Sequence, residues 1–192
     1  MSQVLDAEAT VEVALKTLKG RPDGDPTPLE DLPVALYVTD RDGTITWYNK
    51  ACIAFTGRTP QAKADRWCVT WRLLTDRGEP LPHDQCPMAL AIRQQRSIRG
   101  VTAIAERPDG RRVAFRPYPT PLFDAAGQFT GAVNVLEDIT AVRRRDEFLA
   151  HARRCHRLAR QINDRQTITA LQDMAKQYEA QAAELAAGLA PA

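Results

Sequence analysis

The residues with the clearest chemical potential lie in the segment LPHDQCPM (residues 81–88). His83 and Cys86 are three positions apart, and Met88 follows shortly after them. Imidazole, thiolate and thioether groups all ligate haem iron, so this segment could supply an axial ligand to a haem. In the alternative interpretation His83 lies in a turn, Cys86 is a small buried hydrophobic residue and Pro87 begins a helix.

Aromatic residues provide a second candidate site. Such side chains can line a cavity for an apolar or aromatic ligand, although more often they fill a hydrophobic core. The residues in question are Trp47, Trp67, Trp71, Phe115 and Tyr118. All of these except Trp67 join His83, Cys86 and Met88 in the set of predicted cavity residues.

Most sequence motifs of catalytic and metal sites are missing. Cys52, Cys68, Cys86 and Cys155 never form a C-x-x-C pair, so we predict reduced thiols without a zinc knuckle or a disulfide framework. The DRDG stretch is similar to the start of a calcium loop, but Ala51 stands where the terminal Glu would be. Gly-rich phosphate loops and H-E-x-x-H are also missing from the sequence. We therefore predict no enzymatic activity and no metal site.

Charge and hydropathy give no reason to expect a nucleic acid or a membrane as a partner. The net charge of the 192 residues is +2, with acidic and basic residues mixed along the chain. The arginines that begin at residues 143–145 are interpreted as a solvated helix face, because no aromatic residues are interleaved for base stacking. The start of the chain lacks the pattern of a secretory signal, so a cytoplasmic location is predicted.

Hydrophobic periodicity predicts an α+β fold. An amphipathic helix over residues 2–19 and a Pro- and Gly-rich linker come first, and a second short helix stops at Gly57. A third helix is predicted with Asp84 as its N-cap and Pro87 in its first turn. Residues 58–82 are predicted to be irregular, with their apolar side chains folded over the domain. Strands are predicted at residues 35–39, 44–49, 101–107, 111–120 and 128–138.

Residues 32–140 resemble the PAS family of sensory modules. The matching stretches are LPVALYVTDRDGTITWYNKACIAFTG and ERPDGRRVAFRPYPTPLFDAAGQFTGAVNVLEDIT. The resemblance implies a five-stranded antiparallel sheet with helices on one face. It also implies a regulatory module that holds a small molecule or pairs with another protein, and it implies no reaction.

The resemblance further implies a signal exit at the end of the last strand. Asp138 and Thr140 would hydrogen-bond at the start of the exit helix and couple its angle to the sheet. A plain N-cap role for either residue is the alternative. The Asn-Cys-Arg-Phe-Leu stretch of flavin-binding light sensors is missing, so a covalent flavin is not expected. The cofactor is left open, with haem as the candidate.

The residues after Thr140 are predicted to form two helices. An apolar seam of coiled-coil type runs through residues 148–162 and resumes over residues 168–185. Asn163 or Asp164 can cap the second helix, which gives an αα-hairpin. The hairpin either docks on the domain or forms a dimer bundle. No histidine in it has the phosphoacceptor spacing of a sensor kinase.

These observations divide the chain into a helix (1–19), a linker (20–31), a PAS domain (32–140) and a helical hairpin (141–192). We predict a bacterial-type, cytoplasmic signal-transduction sensor or adaptor without an output enzyme. It would bind a small molecule or an unidentified signalling protein, transmit through its flanking helices and form a homodimer. The alternatives are a haem-binding gas or redox sensor, and a dimerisation module with no ligand.

Overall fold

The computed structural model describes residues 6–19 and 24–189. The predicted start of the first helix, including Val4, and residues 20–23 of the linker lie outside the described residues. The helices are α1 (Ala7–Leu18), α2 (Lys50–Thr56), α3 (Pro87–Gln94), α4 (Thr140–Ala159) and α5 (Arg165–Leu189), with short 3-10 turns at Thr27–Leu29 and His83–Gln85. The strands are β1 (Ala35–Asp40), β2 (Ile45–Tyr48), β3 (Arg72–Leu74), β4 (Ala103–Glu106), β5 (Arg112–Pro117), β6 (Thr120–Phe123) and β7 (Phe129–Asp138).

An antiparallel sheet of seven strands forms the body of the fold. Its order is β2-β1-β7-β5-β4-β3, and β6 also pairs with β7. The predicted α+β class and antiparallel sheet are therefore confirmed, and each of the five predicted strands forms. Two local differences raise the number of strands from five to seven.

The first difference is that the predicted middle strand is divided into β5 and β6. Pro117 and Pro119 have no N–H to donate, so the ladder is interrupted there. Between them, Tyr118 donates its N–H to the carbonyl oxygen of Val135 at 2.9 Å. This bond keeps the connection against β7 and lets β6 pair further along the same strand.

The second difference is β3, which forms within the segment predicted to be irregular. It pairs with β4 at the edge of the sheet. Its residues Leu73 and Leu74 are buried. The apolar side chains of this segment thus pack on the domain as predicted. Its backbone is not irregular throughout, because residues 72–74 form a strand.

Side chains form the N-terminal caps of α2 and α3, the helices that cover the inner face of the sheet. Asn49 is the N-cap of α2, and its Oδ1 accepts the N–H of Cys52 at 3.2 Å. In α3 the N-cap is Cys86, whose sulfur accepts the N–H of Ala89 at 3.5 Å. Asp84, the predicted cap, lies in the preceding 3-10 turn. Pro87 occupies the first turn of α3 as predicted.

Both faces of the sheet are covered. Helices α2 and α3 pack on the inner face, where the buried residues form the inner cluster: Ala35, Tyr37, Ile45, Cys52, Cys68, Val69, Leu73, Cys86, Met88, Ala89, Ile92, Ala103, Ala105, Phe115, Ala132 and Leu136. Helix α1 packs on the opposite face and completes the outer cluster: Ala7, Val11, Ala14, Leu18, Leu29, Leu36, Val38, Tyr118, Leu122, Val133 and Val135. The sheet is thus a middle layer: the helices within the PAS domain lie on one face, as predicted, and the flanking N-terminal helix α1 covers the other.

Helices α4 and α5 form a separate compact unit that begins at Ile139. They pack as a hairpin around the buried residues Ala152, Cys155 and Ala175. Of the two predicted candidates for the cap of α5, Asn163 and Asp164, it is Asp164 that accepts the N–H of Thr167, at 2.8 Å. Along residues 6–19 and 24–189, no helix has both the length and the hydropathy needed to cross a membrane.

Candidate functional site

The inner cluster encloses a hydrogen-bonded network of polar groups. Tyr37, fully buried on β1, donates its hydroxyl to the carbonyl oxygen of Trp67 at 3.0 Å. The same hydroxyl accepts from Nδ2 of Asn134 on β7 at 3.0 Å, and Oδ1 of Asn134 accepts the N–H of Tyr118 at 2.9 Å. Burial raises the pKa of Tyr37 well above its ordinary value, so the phenol stays neutral and remains a donor. We call these contacts the Tyr37–Asn134 network.

Two thiols meet beside this network. Cys68 lies in the loop before β3, and Cys86, at the start of α3, donates a hydrogen bond to its sulfur. The sulfur of Cys86 also lies 3.9 Å from the carbonyl oxygen of Trp67. Thr70 donates its hydroxyl to the sulfur of Cys68 at 3.2 Å, and Nε2 of His83 lies 3.4 Å from that hydroxyl oxygen. We call Cys68, Thr70, His83 and Cys86 the thiol site.

The surroundings of the thiol site favour a single negative charge on the pair of cysteines. The hydrogen bond from Cys86 is the main reason that the pKa of Cys68 is lowered to about 6. The charge of His83 and the hydrogen bonds from Thr70 act in the same direction, while burial opposes them. The pKa of Cys86 is raised well above its ordinary value, first by its hydrogen bond to Cys68 and then by burial. Cys68 is therefore the sulfur that ionises, and Cys86 is its hydrogen-bond donor.

An open cleft adjoins this region at the rim of the domain. Its volume is about 570 Å³. Part of its wall consists of Trp67, Ile92 and Phe129, which belong to the inner cluster or pack against it. The charged residues that line the cleft are Arg41, Asp42, Arg66 and Arg93. The cleft thus combines an apolar wall with an excess of positive charge, which attracts anions.

The backbone next to the thiol site is held in an unusual conformation. Trp67 has a φ of +68°, which is rare for a residue with a large side chain. Its N–H donates to the carbonyl oxygen of Gly43 at 2.7 Å, and its ring lies where a side chain at Gly43 would stand. The β1–β2 turn thereby fixes Trp67, which precedes Cys68 in the chain.

The predicted cavity residues fall into several environments. Cys86, Met88 and Phe115 lie together in the inner cluster, and His83 contacts that region through Thr70. Trp47 and Tyr118 belong to the outer face, packed with α1. The side chain of Trp71 is 41% exposed and lies under the guanidinium of Arg72. Met88 and Phe115 therefore lie in the same cluster as Cys86, whereas Trp47 and Tyr118 lie on the outer face and Trp71 is exposed.

The residues proposed for haem ligation are engaged with protein partners. The sulfur of Cys86 accepts the N–H of Ala89 and contacts Cys68, and Met88 is buried in the inner cluster. A haem would have to displace these contacts, so the residues present do not fit the group. Within the described ranges, no three His, Cys, Asp or Glu side chains are grouped so as to hold a metal ion.

Three residues of this region were not among the sequence candidates. They are Tyr37, Cys68 and Asn134. A hydrogen bond joins Tyr37 and Asn134 only in the folded sheet, and Cys68 lies in the loop that follows Trp67. Tyr37 and Asn134 lie in the mostly buried strands β1 and β7. A polar residue in the middle of such a strand is the signal that could have marked Asn134, because a buried amide requires partners.

The predicted signal exit lies where β7 ends. Asp138 is the last residue of β7 and pairs with Phe115 of β5. Ile139 occupies the N-cap position of α4, and Thr140 is the first residue of the helix. Neither Asp138 nor Thr140 is thus the N-cap residue. A single residue separates the central strand of the sheet from α4.

Comparisons with known proteins agree with this architecture. Residues 29–144, more than half of the chain, match the family described as PAS fold. No curated protein matches the chain. Solved structures do match, and three similar ones are 21%, 22% and 24% identical to it.

One similar structure is an RNA-binding light-oxygen-voltage receptor, with 21% identity and a TM-score of 0.46. The match covers 73% of this chain but 36% of the receptor, so the chain spans about a third of that protein's length. A PAS domain from Colwellia psychrerythraea has 22% identity, coverage of 59% and 92% of the two chains, and a TM-score of 0.45. The LOV domain of a blue-light-activated histidine kinase from Erythrobacter litoralis has 24% identity, coverage of 56% and 97%, and a TM-score of 0.44. On the family match and the sheet order, the chain belongs to the PAS family.

Proposed function

We propose that this protein is a signal-transduction sensor or adaptor whose PAS domain acts on its flanking helices. The observation that carries the proposal is the Tyr37–Asn134 network. It links Trp67, in the wall of the cleft, to β7, and β7 passes through Ile139 into α4. A ligand that moves Trp67 would change the hydrogen bonds of Tyr37 and thereby the strand that leads to the exit helix.

The ligand that best suits the cleft is a small anion with an apolar or aromatic part. Arg41, Arg66 and Arg93 would pair with its charge, and Trp67 and Phe129 would pack against its apolar part. The cleft volume of about 570 Å³ is in the usual range for a small-molecule site. The sequence alone predicted only a small molecule of unspecified chemistry.

The output that we propose is contact between copies of the protein or with a signalling partner, through α4 and α5. Leu158 and Met174 are large apolar side chains exposed on this hairpin. The hairpin buries few apolar residues of its own, and a thin helix pair gains stability from packing on another one. A cytoplasmic homodimer is the form that we infer.

Native mass spectrometry of the purified, untagged protein tests both parts of the proposal. We expect the mass of a dimer, and for a ligand-bound fraction an added mass that denaturation removes. Arg41→Ala and Arg93→Ala should lower that fraction. A ligand that survives both changes would contradict the cleft as its site. An absorption spectrum tests the haem alternative, because a haem gives a visible band that Trp and Tyr do not.

The contribution of the hairpin is tested by sedimentation of a Leu158→Glu/Met174→Glu variant. We expect weaker self-association, because two charges would enter the apolar surface. The matched control is Phe123→Glu, which alters an exposed apolar residue on β6. Equal association of the double variant and the wild type would contradict an interface on the hairpin.

A further inference from the structure

Two of the four cysteines, Cys68 and Cys86, come from separate segments that the fold brings into the same buried cluster. Cys68 comes from the loop that follows Trp67, and Cys86 begins α3. The sulfur of Cys86 lies 3.9 Å from the carbonyl oxygen of Trp67, the residue that precedes Cys68, and both cysteines are buried in the inner cluster. The two thiols also interact electrostatically. Both thiols are free. Two free thiols that the fold brings together in this way can form an intramolecular disulfide.

The neighbours of the pair activate one of its sulfurs. Thr70 donates to Cys68 at 3.2 Å, and His83 lies next to Thr70. Together with the neighbouring Cys86, these contacts lower the pKa of Cys68 from its ordinary value to about 6, which favours the thiolate at neutral pH. The thiolate is the form of cysteine that reacts with peroxides and disulfides. Cys86 keeps its proton and is the resolving thiol.

The other cysteines lack this environment. Cys52 is buried, donates to the carbonyl oxygen of Leu36 at 3.2 Å, and has a pKa raised by burial. Cys155 is buried between the helices of the hairpin. The chain therefore carries its own internal controls for thiol reactivity.

The pair lies next to residues that reach the surface. Cys68 follows Trp67, which lines the open cleft, and His83 of the thiol site is only partly buried. Cys68 itself is 5% exposed. Because so little of Cys68 is exposed, we expect a small hydroperoxide to react with it more readily than a large thiol reagent.

We propose that Cys68 and Cys86 form a thiol–disulfide redox site that a hydroperoxide oxidises. The Cys68 thiolate attacks the peroxide oxygen, the O–O bond breaks, and the leaving oxygen takes a proton, which gives Cys68 sulfenic acid and an alcohol or water. The sulfur of Cys86 then attacks the sulfur of Cys68 and loses its proton, and hydroxide leaves as water. In sum, two thiols and one hydroperoxide give one disulfide, one alcohol or water, and one water.

The oxidation would alter the contacts that lead to β7. Cys86 would lose the proton that it shares with Cys68, and its contact with the carbonyl oxygen of Trp67 would change. That carbonyl is also the acceptor for Tyr37. The redox chemistry stands by itself, whereas its use as a signal rests on the proposed function.

Peptide mapping of the folded, full-length protein tests the chemistry. The folded protein is treated with hydrogen peroxide at pH 7 and the peroxide is removed. The protein is then unfolded in denaturant, all remaining thiols are alkylated, and trypsin digestion follows without a reductant. Trypsin cuts after Arg66, Arg72, Arg77 and Arg93, so the disulfide would join peptides 67–72 and 78–93. We expect this joined peptide, lighter than the two free peptides by two hydrogen atoms, while Cys52 and Cys155 stay fully alkylated.

Variants separate the steps. Cys86→Ala removes the resolving thiol, so dimedone should label a sulfenic acid at Cys68, and Cys52→Ala is the matched control that should leave the joined peptide unchanged. Circular dichroism confirms that each variant is folded. If Cys68 and Cys86 of the wild type are alkylated as fully as Cys52 after peroxide treatment, the redox site is overturned, and the sensor function with another ligand is unaffected.

Hydrogen exchange at the start of α4 tests the signalling role. We expect the exchange rate of residues 140–147 to differ between the oxidised and the reduced protein. A disulfide that forms without any change in exchange would establish the redox site and overturn its role as the signal.

Discussion

Tyr37 and Asn134 are 97 residues apart in the chain, and Nδ2 of Asn134 donates to the hydroxyl of Tyr37 at 3.0 Å in the buried interior of the domain. Because the hydroxyl in turn donates to Trp67, each side chain satisfies a polar group that would otherwise be buried without a partner. The pair thus joins the loop of the thiol site to the central strand β7.

We expect Tyr37→Phe and Asn134→Ala each to lower the free energy of unfolding by about 1–3 kcal/mol, because each leaves a buried partner unsatisfied. The double variant should lose less than the sum of the two, with a coupling energy of about 0.5–3 kcal/mol. Urea unfolding measures all three values. Tyr48→Phe, on the neighbouring strand β2, is the control for removing a tyrosine hydroxyl. Additive losses would show that the two side chains are not coupled.

The sequence predicted the main elements of the fold because their signals are local. The Asp-Gly turn between β1 and β2, Pro87 in the first turn of α3 and Asp164 as the cap of α5 all act within a few residues of their own position. Strand β3 was not predicted because its three residues are extended only through pairing with β4, a partner that lies about 30 residues further along the chain.

The candidate site was harder to predict because α1 covers the second face of the sheet. In a sheet with one solvated face, polar and apolar residues alternate and show which face points inward. Here β1 and β7 are buried on both sides, so that alternation is lost. Trp47 and Tyr118 were predicted to line a ligand cavity only because they are aromatic, but they pack on the outer face of the sheet. The contact between Cys68 and Cys86 depends on the tertiary fold and has no local signal.

Gly43→Ala should disturb the thiol site through Trp67. A Cβ atom at position 43 would lie 2.2 Å from Cε3 of the Trp67 ring, and the φ of Gly43 is +80°. We expect a loss of stability together with a shift in tryptophan fluorescence and a changed alkylation rate of Cys68.

Gly78→Ala separates the steric clash from backbone strain. Gly78 has a φ of +82°, and among the described residues no heavy atom lies within 4 Å of its added Cβ. This variant should lose about 1–2 kcal/mol from the left-handed conformation alone. Equal losses for the two variants, with no change in fluorescence for Gly43→Ala, would contradict the role assigned to the contact between Gly43 and Trp67.

The reactivity of Cys68 should depend on pH with a midpoint near the value of about 6 to which its pKa is lowered. The alkylation rate should rise as the pH increases through this value and level off above it, since only the thiolate reacts. The titratable groups that face Cys68 are Cys86 from α3, His83 from the preceding turn, Tyr37 from β1 and Cys52 from α2. Mass spectrometry of alkylated peptides follows each cysteine separately.

Cys86→Ala should shift the midpoint of Cys68 to higher pH, because it removes the hydrogen bond that lowers the pKa of Cys68 most. Cys52 is the internal control: burial raises its pKa, so its alkylation should remain slow over the same pH range. An unchanged midpoint in Cys86→Ala would show that Cys86 is not the donor to Cys68.

Asp164 should make the start of α5 sensitive to pH. Its carboxylate accepts the N–H of Thr167 at 2.8 Å and the hydroxyl of Thr167 at 2.6 Å. These bonds lower the pKa of Asp164. A carboxyl whose pKa is lower in the folded state stabilises that state above its ordinary pKa, and the contribution disappears as the pH falls through the lowered value. Helix content, followed by circular dichroism from neutral to acidic pH, should therefore decrease at the acidic end.

Two substitutions distinguish capping from charge at this position. Asp164→Ala removes the acceptor, so helix content should be lower at neutral pH. It also removes the titrating carboxyl, so position 164 should no longer contribute to the loss of helix content on acidification. Asp164→Asn keeps an uncharged acceptor for Thr167, so the helix should be retained at neutral pH while the pH dependence is lost. If Asp164→Asn keeps the acid-induced loss of the wild type, the dependence arises from another carboxyl group, because an amide does not titrate in this range.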